Sequence, residues 1–299
     1  MKSSLLLATT LVSALLGAST SPIHAQELLT TKVAPKAAAS LSDDELRSLG
    51  EGIAFPYEKL ERALTPNINK EGAVSYAKLK GNNDLETFVR AVGIANLDKF
   101  PKWMNPADPE DPKSVPTPDR TPELTFLINA YNGLFFKTLA DAYPINTPGQ
   151  IKGLYTEKTH RVAGKMMSFG ELRREIGQIE PRALFALTDG TKDGPRATSA
   201  VYTYFNLSGQ LTRAAQAYVN DLAHVKEPIR LQNSVEVSPW LASVDEFFAP
   251  KGGRRKFNGI RNVLATYITR DGDRRYFAAG DYQIRFALGD ASINELLSR

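Results

Sequence analysis

The chain has 299 residues, 42% of them hydrophobic, and 37 Lys and Arg against 33 Asp and Glu give a formal net charge of +4. That composition supplies a core for one large domain or two small ones, and the charge is too slight to point to a nucleic-acid partner. There is no cysteine, which excludes disulfides, a lipid-modified N-terminal cysteine and thiol chemistry.

Met1 to Ala25 reads as a secretory signal peptide: Lys2, an apolar run from Leu5 to Ala18, and Ile23-His24-Ala25 before Gln26. The apolar run is too short to span a membrane well, and no later segment is long and uncharged enough to do so. The protein is therefore expected to be exported, periplasmic or secreted, with a mature chain starting at Gln26. An intact mass that still includes Met1 would rule this out. Gln26 to Ser40, rich in Thr, Ala, Lys and Pro, reads as a flexible leader. Residues 41–299 read as a single domain.

Within it, Ser42 and Glu45 have capping-box spacing and predict a short helix. Gly72 to Leu79 predicts a turn into a short extended piece, and Asn83 to Val92 a helix with Leu85, Phe88, Val89 and Val92 on one side. Pro101 to Pro122 holds seven prolines, which predicts a long loop, neither helix nor sheet. Trp103 and Met104 would anchor that loop to the core.

Thr121 to Pro144 is the dominant stretch. Thr121 caps, Pro122 fits the first turn, and Pro144 stops the helix. Most of its circumference is apolar, the signature of a central core helix. Asn129 and Asn132 share a side of it. A buried amide without partners costs about 1–3 kcal/mol, so both need partners. They either pin neighbouring loops, the favoured reading, or line a site.

Further on, His160 to Met167 predicts a hairpin around Gly164, and Ser168 caps a helix with Phe169, Leu172 and Ile176 inward. Ala183 to Leu187 predicts a short apolar strand, Asp189 to Pro195 a polar turn, and Leu211 to Leu222 an amphipathic helix. Ile229 to Val237 predicts two short strands, Ser238 to Phe248 and Asn258 to Ile268 helices, Tyr282 to Leu288 a last strand, and Asp290 to Leu297 a closing helix. The class is α+β: a mostly helical domain with a central buried helix and a small, mainly antiparallel sheet.

The chemistry is sparse. Beyond the leader the histidines are His160 and His224, neither at metal-ligand spacing, so neither a metal nor a cofactor is expected. No serine-hydrolase elbow and no phosphate-binding glycine loop is present. What remains is Pro181 to Arg196, where Asp189 and Asp193 lie between Arg182 and Arg196. Two carboxylates serve acid and base roles when their pKa values are split. A solvated turn is the favoured alternative, and as a turn residue Asp189 is expected to tolerate Asn with little change.

Phe126-Leu127-Ile128-Asn129-Ala130-Tyr131-Asn132-Gly133 resembles the F-W-I-N-A-Y-N-A signature of the bacterial and plant family called domain of unknown function 547. Met167 to Leu172, Pro181 to Leu187, Gln210 to Asn220 with Val237 to Pro239, and Asp290 to Asn294 are similar to its later segments, in the same order, so the resemblance runs from about Tyr57 to the C-terminus. It implies a distant link to papain- and transglutaminase-like thiol enzymes. The family's His position is Leu184 here, and its two Cys positions are Asp189 and Gly194, so a thiolate nucleophile with a His base is absent. Two readings follow. One is a non-catalytic domain binding a peptide, glycan or envelope protein around Asn129, Asn132, Arg182, Asp189, Asp193, Arg196, Asp290 and Asn294. The other is a hydrolase or transferase using Asp189 and Asp193, which requires both carboxylates in one cleft.

Overall fold

In a computed structural model, Thr121–Ala142 forms one 22-residue helix, α4, with seventeen of its residues buried. The structure describes residues 55–111, 113–251 and 255–296, which fall in one compact unit. The signal peptide, the leader and the Ser42 helix lie outside the described residues. Four shorter helices pack around α4: α1 (Tyr57–Leu64), α2 (Tyr76–Leu79), α3 (Asn83–Ile94) and α5 (Phe169–Ile179). Each fully buried Leu or Phe in such a helix contributes about 1.5–3 kcal/mol, which holds even α1 and α2, whose N-termini have no side-chain cap. Gly133 is required at the α3 contact, since a Cβ there would sit 2.5 Å from the Phe88 ring.

The proline-rich stretch departs from expectation. Trp103–Asn105 (β1) pairs antiparallel with Thr117–Asp119 (β2), with Met104 opposite Pro118. An edge position tolerates proline because half of an edge strand's N–H groups go unpaired. Trp103 and Met104 are 40% and 58% exposed, so they do not anchor the ribbon in the core. The Trp103 ring meets Tyr204 edge-on instead.

The expected hairpin is present as β3 (Thr159–Val162) and β4 (Lys165–Ser168), closed by Ala163 and Gly164, both at positive φ. Ser168 then starts α5 with a complete capping box to Glu171. The expected strand at 183–187 is a 3-10 helix, Pro181–Ala186. Among the described residues no strand pairs with its backbone, and the Glu180 carboxylate caps it by accepting from the Arg182 N–H. The amphipathic helix α6 runs Leu207–Asn220.

Of the two strands expected at 229–237, the first is a 3-10 turn, Arg230–Gln232, and only β5 (Ser234–Val237) is extended. The helix expected from Ser238 breaks into a 3-10 turn, Pro239–Ser243, and α7 (Asp245–Phe248). α8 (Asn258–Tyr267) was legible, whereas α1 and α9 (Arg274–Ala279) were not. β6 (Gln283–Phe286) lies parallel to β5. The class is mostly helical α+β as expected, and among the described residues the small sheet is divided into two-stranded ribbons, two antiparallel and one parallel. The closing segment is extended where a helix was expected, because its backbone bridges two loops: Ile293 to Thr191, and Glu295 to Val74.

Candidate functional site

The two asparagines of α4 hold one loop at both ends. Asn132 donates to the Ala186 carbonyl and accepts from the Thr188 N–H. Three residues earlier, Asn129 donates to the carbonyls of Thr125 and Tyr202 and accepts from the Tyr202 N–H. With Asn129 1% and Asn132 7% exposed, both amides are spent on backbone groups that would otherwise be buried without partners. Between the pins, the loop contributes Asp189 to one cavity and residues 195–200 to another.

The first cavity, of about 380 Å³, lies between α4, α5 and the 239–248 segment. Tyr131, Tyr155, Trp240 and Phe247 give it aromatic walls, and Arg173, Asp189, Ser243 and Glu246 its polar groups. Asp189 Oδ1 accepts from both the N–H and the hydroxyl of Thr191, each at 2.9 Å, while Oδ2 accepts from no described residue. Burial pushes this carboxyl above the ordinary carboxylate range; the Thr191 bonds and the Arg173 charge only partly offset that. Arg173 is positioned by bonds from its guanidinium to the carbonyl and hydroxyl oxygens of Ser243, and it lies over the Trp240 ring. Burial also raises both phenols, Tyr131 and Tyr155, so they enter as neutral hydrogen-bonding groups.

Asp189 is therefore not the solvated turn residue expected from the sequence. It does make a turn, but its carboxylate stands at a cavity wall. Gly194 exists for the same reason, since a Cβ there would fall on that carboxylate. The positions at which the family pattern has its two cysteines are thus in direct contact.

The other expected site residues separate. Asp193 does not line the cavity. Its backbone is tied to Asp290 and Tyr218, and its side chain lies by Gly289, so the two carboxylates do not share one cleft. Arg182 is bound to Glu180 and Thr212 in another groove. Arg196 pairs with Asp221 at 2.7 Å. Asp290 closes a turn on Ser292, and Asn294 fastens the C-terminal segment to Tyr76 and Gly72. Among the described residues no group of three or more His, Asp or Glu could hold a metal ion. His160 packs on Phe169, and burial lowers it to about 4. Arg173, Tyr155 and Trp240 carried no sequence signal. Tyr131 did, as the residue between the two asparagines.

Fold and site together define a mostly helical α+β domain with a ligand-sized cavity beside its central helix. Residues 117–219 match the family model described as "Protein of unknown function, DUF547", and this stretch of the chain belongs to that family. No curated protein and no solved structure matches the chain. Among the described residues no helix is long and apolar enough to cross a membrane.

Proposed function

We propose that this chain is an exported, non-catalytic binding domain, descended from a thiol enzyme, that takes a neutral saccharide unit of a glycan in the Tyr131–Asp189–Trp240 cavity. The observation that carries the reading is Asp189: a carboxylate at the cavity wall with one oxygen satisfied by Thr191 and the other without a protein donor. Sugar hydroxyls supply such donors. The aromatic walls offer apolar faces to the ring C–H groups, and the volume falls in the range of roughly 300–1,000 Å³ usual for small-molecule sites. The lining holds two acids, Asp189 and Glu246, against two guanidinium groups, Arg173 and Arg174. This balance favours a neutral polyhydroxylated ligand over an ion.

Saturation-transfer NMR with a panel of neutral hexoses and N-acetylhexosamines is expected to label ring C–H protons of at least one member. Silence across the panel, or transfer that persists unchanged in Asp189→Asn, would end this reading.

A further inference from the structure

The second cavity, of about 480 Å³, opens between the 195–202 loop, α6 and the turn at Asn69. Its lining carries Lys70, Arg196 and Arg213 and no carboxylate. Lys70 and Arg213 make no ion pair with any described residue. Arg196 is bound through one guanidinium nitrogen to Asp221, which lies outside the lining, so its other donors remain. Lys70 and Arg213 are therefore like charges around one hollow that repel one another, and no carboxylate on the walls offsets them.

Two hydroxyls add donors. Thr198 Oγ1 accepts from the Ala200 N–H, leaving its own hydrogen to give, and the Ser199 hydroxyl is bound to no described residue. At the wall sits His224, 5% exposed, stacked on Tyr218 at 4.1 Å, with its Nδ1 buried and without a partner. Its Nε2 faces the Lys192 carbonyl at 3.4 Å, so the ring packs as part of the wall and is not one of the groups that would hold a ligand.

We propose that this cavity is an anion site for a phosphomonoester, held by Arg196, Arg213 and Lys70. A carboxylate offers one charge and two oxygens. A phosphomonoester offers close to two charges and three terminal oxygens, enough to meet three cations converging from separate elements. A soluble metabolite and a lipid headgroup present the same recognising chemistry, and the two probes below separate them. The site does not depend on the saccharide cavity, with which it shares only the pinned loop.

Calorimetric titration of the full chain with glycerol phosphate, beside sedimentation with phosphatidic-acid vesicles, tests this. Saturable glycerol phosphate binding is expected, with about a tenfold or greater loss in Arg213→Gln, where one charged contact goes, and a larger loss in Lys70→Gln/Arg213→Gln. Both residues are exposed, so the fold should survive. Lys165→Gln, an exposed cation on β4, should leave binding unchanged. Vesicle binding alone, lost in the double variant, assigns the phosphate to a lipid headgroup. Failure of both probes, survival of binding in the double variant, or equal weakening by Lys165→Gln overturns the proposal.

Discussion

Replacing Asn129 with Leu is expected to destabilise the fold by about 2–5 kcal/mol. Leu has the same branched skeleton as Asn and is bulkier, so lost packing is not the cause. What is lost is the partner of two buried backbone groups, the N–H and the carbonyl of Tyr202, each costing about 1–3 kcal/mol when left unsatisfied. The Thr125 carbonyl is less affected, because it stays within the helical ladder of α4. The urea midpoint should fall without a change in slope if two-state unfolding is kept. Because Tyr202 lines the phosphate cavity, binding there should weaken as well. An unchanged midpoint would mean that Asn129 is not the pin its geometry describes.

Asp189→Asn is expected to move stability and binding in opposite directions. An amide oxygen in place of Oδ1 can still accept from the N–H and the hydroxyl of Thr191. The substitution removes a charge that burial disfavours. The folded-state pKa of Asp189 lies above its unfolded value, so the favourable contribution of the protonated group is fully present below the unfolded pKa. It is lost as pH rises through the folded pKa. At neutral pH the wild type therefore bears the net penalty that burial leaves after the Thr191 bonds and the Arg173 charge have partly offset it. The variant should be more stable there by about 0.5–2 kcal/mol, the usual gain from relieving such a site. Its advantage should shrink as pH falls through the raised pKa and vanish below the ordinary carboxylate range. Saccharide affinity should drop about tenfold or more, since the free Oδ2 acceptor becomes a donor. Equal stability at all pH values would show that Asp189 is not held in a desolvated state.

The residues of α4 could be read in one dimension because their cause is local. A helix apolar on most of its surface has to be central, and prolines near each end fix its limits. The α5 capping box and the hairpin at Gly164 are local for the same reason, since a few adjacent residues satisfy one another's backbone groups. The need of Asn129 and Asn132 for partners was likewise legible from burial alone. The identity of those partners was not, because Ala186 and Tyr202 lie 54 and 73 residues away.

Short apolar segments were misread where distant neighbours decided their form. Residues 181–186 have the composition of a strand but wind into a 3-10 helix, having no strand to pair with. Residues 290–296 have a helix-like start but stay extended, because Thr191 and Val74 offer their edges. The cavities are the extreme case. Tyr131, Tyr155, Asp189 and Trp240 come from four parts of the chain, and no spacing rule links them. The sequence by itself determined the central helix, its two obligate amides and the absence of thiol chemistry, all of which follow from local periodicity and residue type. Only the tertiary structure decided that the amides hold a loop, that the loop carries a desolvated carboxylate at one cavity and brings Arg196 beside Lys70 and Arg213 at the other, and which walls face them. Burial and charge pairing are properties of neighbours brought together in space.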